Sequence, residues 1–169
     1  WYLGSTWRNA MAFILLFAPF AVKAAYTVDL GLQAKDIELG ISPNDLVPGS
    51  TVRMYATVFN TGTKDATGDL VFLLGPTVLG SSQVSLRAKS LEDEVFVDIK
   101  VPNADFNILA RLMNVSPDDQ NLSNNEILSQ RFYLAKDSDG AGIPDSKDLD
   151  NDNDGIPDAQ EIQNGTNPK

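Results

Sequence analysis

The sequence predicts an all-β chain: one antiparallel β-sandwich followed by a short tail built from acidic loops. Three observations carry this reading. Between residues 35 and 134, short runs of alternating apolar and polar residues recur between turn signals, the pattern of half-buried strands in a sandwich. No long stretch shows the apolar spacing of an amphipathic helix. Residues 137–161 then repeat one spaced set of carboxylates twice.

Composition bounds the organisation and the chemistry. At 169 residues the chain has room for one core with a leading segment and a tail. We divide it into an apolar segment at 1–24, a strand at 25–34, a sandwich at 35–135 and the acidic tail at 136–169. The formal net charge is −10, and residues 137–161 hold nine acids against Lys147 alone. The remainder is nearly neutral, which argues against nucleic acid or an anionic membrane as partner. The sequence has no histidine and no cysteine. Ser-His triads, cysteine nucleophiles, imidazole acid–base catalysis and Cys/His zinc sites are thereby excluded. With no carboxylate pair in a recognisable catalytic setting, the chain reads as a non-enzyme. Small secreted eukaryotic domains usually carry disulfides, so a bacterial surface protein fits better.

Residues 10–22, AMAFILLFAPFAV, form an uncharged apolar run too short to span the ~30 Å of hydrocarbon as a helix. Arg8 precedes it and Val22-Lys23-Ala24 follows as an A-x-A-like site. The expectation is a secretory signal peptide with the mature chain starting near Ala25 and carrying no stable membrane span; an apolar anchor segment is the alternative.

In residues 25–33, Tyr26, Val28, Leu30 and Leu32 alternate with Thr27, Asp29, Gly31 and Gln33. Period two marks a strand with one buried face. Two uses are open to it: pairing within its own domain, or donation to a neighbouring subunit in strand-addition assembly, with Tyr26, Val28, Leu30 and Leu32 filling the neighbour's groove.

Candidate sandwich strands follow at 36–41, 51–60, 69–74, 83–87, 94–101, 107–114 and 127–134. Val52, Met54, Ala56 and Val58 make one clean apolar face; Val95, Val97, Ile99 and Val101 make another. Pro48-Gly49, Asn60-Thr61-Gly62, Gly75-Pro76 and Leu79-Gly80 are places where the chain can reverse.

The runs Ile41-Ser42-Pro43, Val47-Pro48-Gly49-Ser50-Thr51-Val52 and Ala56-Thr57-Val58-Phe59-Asn60-Thr61-Gly62-Thr63, with Asn124-Asn125 before the last strand, resemble the CARDB domain. This is the cell-adhesion-related, immunoglobulin-like module of bacteria. The resemblance covers about a hundred residues. It implies an immunoglobulin-like antiparallel β-sandwich and a role in surface display, adhesion or spacing, with no catalytic residue to carry over.

The tail carries the most specific chemistry. Asp150, Asp152, Asp154, Gly155 and Glu161 match the loop pattern D-x-[DN]-x-[DN]-G-x₅-E at every defined position. A Ca²⁺ ion takes about six to eight oxygens at ~2.3 to 2.6 Å, and a loop of about twelve residues can wrap them round one point. Asp150, Asp152 and Asp154 would supply carboxylates and Ile156 its carbonyl. Asp158 would act directly or through water, Glu161 would close the site, and Gly155 permits the turn. Thirteen residues earlier, Asp137, Asp139, Gly142, Ile143, Pro144 and Asp145 repeat the pattern. There Asp148 takes the closing position and Ala141 replaces a carboxylate, so this first loop should bind more weakly or borrow an oxygen from its neighbour.

A thirteen-residue period leaves no room for the helices of an EF-hand pair. Pro144 and Pro157 also lack the N–H that paired EF-hand loops exchange. The repeat resembles the thrombospondin type 3 repeat in its short bacterial form, with GIPD ending each loop. That resemblance implies structural Ca²⁺ that stiffens a string of loops, held by the aspartates named above.

Residues 158–163 should form one or two helical turns stopped by Asn164-Gly165. Asn114, Asn121 and Asn164 head N-glycosylation tripeptides. The function expected is a secreted bacterial structural protein, a subunit of an extracellular filament or appendage assembled from copies of itself. The alternative is a calcium-dependent adhesin or carbohydrate-binding module for a surface glycan, with Tyr55, Phe59, Phe96 and Tyr133 as candidate aromatic contacts.

Overall fold

In strand β2 (Thr51–Asn60) Val52, Met54, Ala56, Val58 and Asn60 are buried, while the residues between them are exposed or half-buried. That is the period-two pattern its sequence predicts. The computed structural model describes residues 25–90 and 92–169. The signal segment expected at 1–24 lies outside the described residues.

Two antiparallel sheets make the sandwich. One has the order β1-β2-β5, with β1 at Leu30–Leu39 and β5 at Asp93–Lys100. The other has the order β4-β3-β6-β7, with β3 at Ala66–Leu74, β4 at Thr77–Leu86, β6 at Leu109–Ser116 and β7 at Glu126–Leu128. The two apolar faces read from sequence prove to be one surface. Val52 pairs with Ile99, Met54 with Val97 and Ala56 with Val95 across β2 and β5. Facing them from the second sheet are Leu70, Phe72, Val84, Leu86, Ala110 and Leu112, all buried in the same cluster.

The first strand belongs to its own domain in this structure. Leu30, Gly31 and Leu32 pair with Asn60, Phe59 and Val58 of β2, and after a register shift Ile37, Glu38 and Leu39 pair with Ala56, Tyr55 and Met54. The strand therefore runs through residue 35, where the sequence suggested a division. Val28, Leu30 and Leu32 lie in the common core, and Tyr26 is half-buried. Of the two uses open to the segment, a single chain adopts the internal one. The physical reason is the turn at Asn60-Thr61-Gly62: Thr61 N–H donates to the Asp29 carbonyl (2.9 Å), and Thr63 and Lys64 N–H donate to the Thr27 carbonyl (3.0 and 2.9 Å). Asn60 holds that turn, its Oδ1 accepting from Gly62 N–H at 2.9 Å and its Nδ2 donating to the Lys64 carbonyl at 2.9 Å.

Two expected elements differ. Leu79-Gly80 is not a turn, because the hairpin reverses at Gly75-Pro76 and β4 runs straight through Gly80. A Cβ on Gly80 would meet the Val97 side chain at 3.2 Å, so glycine lets β4 lie close to β5 there. The last strand, expected over 127–134, stops at Leu128. Beyond it Ser129 Oγ takes over as acceptor for Ile108 N–H (2.9 Å), and one bridge joins Phe106 to Phe132. No helix among the described residues is long and apolar enough to cross a membrane.

Candidate metal centre in the acidic tail

The tail leaves the sandwich beside the loop at 43–46. Ala135 N–H donates to the Leu46 carbonyl at 2.8 Å, and Lys147 Nζ lies 2.6 Å from Asp45 Oδ1. From there the two loops fold alike. The N–H of Asp145 donates to the Lys136 carbonyl (2.8 Å), and thirteen residues on the N–H of Asp158 donates to the Leu149 carbonyl (2.9 Å). Asp137 Oδ2 accepts from Gly142 N–H (3.1 Å) as Asp150 Oδ2 accepts from Gly155 N–H (2.9 Å). Both glycines have positive φ, 87° and 91°, a conformation that side chains disfavour. After each GIPD the chain turns helically. In the second loop this becomes helix α1 (Asp158–Asn164), which Gly165 ends in the left-handed conformation at φ 75°, as expected.

In the second loop, ligand atoms of Asp150, Asp152 and Asp154 lie within 4.8 Å of one another. Two short turns set them: Asp154 N–H donates to Asp152 Oδ1 (3.3 Å) and Ile156 N–H to Asp154 Oδ1 (2.8 Å). Glu161 stands on the first turn of α1, only 3% exposed. Burial, and then the charges of Asp152, Asp154 and Asp158, push its carboxyl up against the opposing hydrogen bond from Thr166. Asp150 Oδ1, Asn151 Oδ1 and Glu161 Oε2 are buried oxygens with no hydrogen-bond partner. Such atoms are costly unless something binds them. With Asp150, Asp152 and Asp154 converging and an unpaired oxygen on Asp150 and on Glu161, the set fits a hard divalent cation such as Ca²⁺. A cation there would offset both the mutual repulsion and the burial of Glu161.

The remaining ligands expected from spacing sit differently. Asp158 turns its carboxylate to Asn151, accepting from the backbone N–H (2.9 Å) and the side-chain amide. Asp145 does the same in the first loop with Ser138 N–H (2.8 Å), and also receives Lys136 and Lys169 at 3.0 and 3.1 Å. Burial alone would raise the Asp145 carboxyl, but the donors Lys136, Ser138 and Lys169 outweigh it and hold it below the usual carboxylate range. Asp139 faces the Asn153 amide, Asp137 serves Gly140 and Gly142, and Asp148 Oδ1 accepts from Asp150 N–H at 3.1 Å. Nothing in the GIPD spelling separates a carboxylate that locks the loop from one that faces its centre; the bond to position two does.

Of the expected aromatic contacts, Tyr133 and Phe96 are 63% and 49% exposed. Tyr55 and Phe59 are half-buried. Asn114 and Asn121, the first two glycosylation candidates, donate their amides to Asp69 (2.8 Å) and Asp29 (3.2 Å), bonds a glycan would displace. Asn164 is exposed at the end of α1. Asp29, which alternation placed on the outer face, is buried at 5% exposure and accepts from Thr61, Asn121 and Asn124.

The family model of the bacterial TSP3 repeat matches residues 150–169. Over these residues the tail is similar to a bacterial TSP3 repeat. The match takes in the loop where the carboxylates converge and begins after the first loop. The CARDB domain of a Pyrococcus furiosus protein, solved in complex with di-metal ions, superposes at a TM-score of 0.52. It is 17% identical and covers 67% of this chain and 94% of its own. The sandwich thus has the CARDB fold, ahead of the residues that match the TSP3 repeat. A cell surface protein domain from Methanosarcina acetivorans is 21% identical, with a TM-score of 0.43, covering 64% of this chain and 93% of its own. A search of curated proteins found no match.

Proposed function

We propose that the chain is a non-catalytic module of the bacterial cell surface in which one Ca²⁺ ion in the second loop orders the tail against the sandwich. The observation that carries this is the convergence of Asp150, Asp152 and Asp154 beside buried Glu161, with donor-free oxygens on Asp150 and Glu161. The TSP3 match at the same residues supports calcium as the ion. The CARDB-fold neighbour solved in complex with di-metal ions is in keeping with a metal-bearing role.

Between the two roles expected from sequence, a filament subunit and an adhesin or carbohydrate-binding module, the packing favours the second. Assembly into a filament by strand addition would pull Val28, Leu30 and Leu32 out of their own core and break the bonds of residues 27 and 29 to the turn at 61–64. Self-association through another surface, or adhesion to a surface glycan, leaves that core intact. Secretion through the segment at 1–24 completes the reading.

Calorimetric titration of the full chain with calcium tests it. One ion per chain is expected, bound by the second loop. Two would mean that the first loop fills despite Ala141, and substoichiometric heat would sink the calcium reading.

A further inference from the structure

We propose that the joint between sandwich and tail is a binding groove for a neutral, β-linked oligosaccharide, centred on Tyr133. The inference rests on the calcium reading above in one respect: the tail supplies one wall.

Two clefts meet at this joint and share Pro43 and Tyr133. One, about 550 Å³, lies between the sandwich and the tail, with Asn44, Lys136, Ser146 and Lys169 around it. The other, about 410 Å³, runs along the end of β1 past Glu38, Ile41, Gln130 and Arg131. The Tyr133 ring stands between them, 63% exposed. Its backbone is fixed on both sides. Phe132 exchanges hydrogen bonds with Phe106 (3.1 and 2.8 Å), and Leu134 N–H donates to Asp105 Oδ1 (3.0 Å). An aromatic ring held in solvent on a rigid mount binds without much loss of entropy.

The chemistry around the ring selects the ligand class. A pyranose offers an apolar face to an aromatic ring and a rim of hydroxyls that both donate and accept. The clefts supply both partners. Lys136 and Lys169 share the single carboxylate of Asp145 and keep donors to spare, while Asn44, Ser146, Gln130 and Glu38 bring acceptors. Charge is close to balanced, since Arg131 and the two lysines face Glu38 and Asp145, which favours a neutral ligand over a polyanion. The Arg131 guanidinium lies over the Tyr133 ring at 5.9 Å, so a sugar would stack on the ring's other face with Arg131 left as a donor beside it. A single exposed ring suits a sugar better than a polyproline helix, which docks between aromatic ridges. Equatorial β-linkages present successive flat faces, and a chain of them would cross the ring from one cleft to the other.

The test uses the full chain, ¹⁵N-labelled in saturating calcium and titrated with cellohexaose and with chitohexaose. Amide shifts are expected at 43–46, 130–136 and 144–146. Tyr133→Ala should weaken binding about tenfold or more, as truncating an aromatic anchor does, while Tyr133→Phe should keep it. No shift with either sugar at millimolar concentration, shifts elsewhere, equal affinity in Tyr133→Ala, or capture of a proline-rich peptide in the same clefts would overturn the proposal. Calcium added before any sugar reports separately. If amides at 150–161 do not move, the metal reading fails, and the sugar titration still decides the groove.

Discussion

Asp29 shows what a single residue can do that its sequence position hides. Alternation along 25–33 sets it opposite the apolar face, yet it is buried, with Thr61, Asn121 and Asn124 donating to its carboxylate. It ties the first strand to the loop before β7, and Asp119 reinforces the tie by accepting from Leu30 N–H at 3.0 Å. These partners lie some ninety residues away in sequence, beyond the reach of any local pattern. Asp29→Ala would leave three donors unsatisfied and should cost about 2 kcal/mol or more of unfolding free energy, read by denaturant titration. The tail offers a second contrast at this scale. Asp152→Asn removes a converging charge and should weaken calcium about tenfold or more, as expected where site charge sets affinity. Asp158→Asn keeps an oxygen for Asn151 N–H and should change affinity far less. Calorimetry on the two variants compares them, and equal losses would mean that Asp158 binds the ion directly.

Elements were legible where one face is buried. β2 and β5 could be read directly because Val52 to Val58 and Val95 to Ile99 alternate without interruption. The sequence predicts a shorter β4, starting at residue 83, because Gly80 resembles a turn signal, and only the neighbouring Val97 explains why a strand needs glycine there. The first strand was legible as a strand and ambiguous in its partner, since the same apolar face serves an internal or a donated edge. Leu30 discriminates between them. With no exposed surface, Leu30→Ala should lower the stability of the isolated calcium-loaded chain by about 2 to 5 kcal/mol. Urea denaturation measures it, and an unchanged midpoint would mean that the strand does its packing elsewhere. In the tail, Gly155 at φ 91° holds the turn between Asp154 and Ile156. Gly155→Ala should cost about 1 kcal/mol in strain and lower calcium affinity in the same titration.

On the proposed reading, the whole molecule joins a sandwich with a core of its own to a tail that a metal ion orders. The sandwich has its own continuous core. By contrast, the tail exposes Ile143, Leu149, Ile156 and Ile162 and buries polar groups such as Asn151 and Glu161. It has little apolar burial to hold a fold by itself, and the proposed cation would offset the carboxylate repulsion. The loop spacing makes the candidate site visible in sequence; the docking of Lys147 on Asp45 and of Ala135 on Leu46 does not show there, because those contacts join a turn to segments 102 and 89 residues on. Amide hydrogen exchange of the full chain, with calcium and with chelator, tests the central claim most directly. The account predicts that calcium slows exchange at Asn151, Gly155, Ile156 and Asp158 and leaves β2 and β5 unchanged. Equal exchange across 150–161 in both conditions would contradict it.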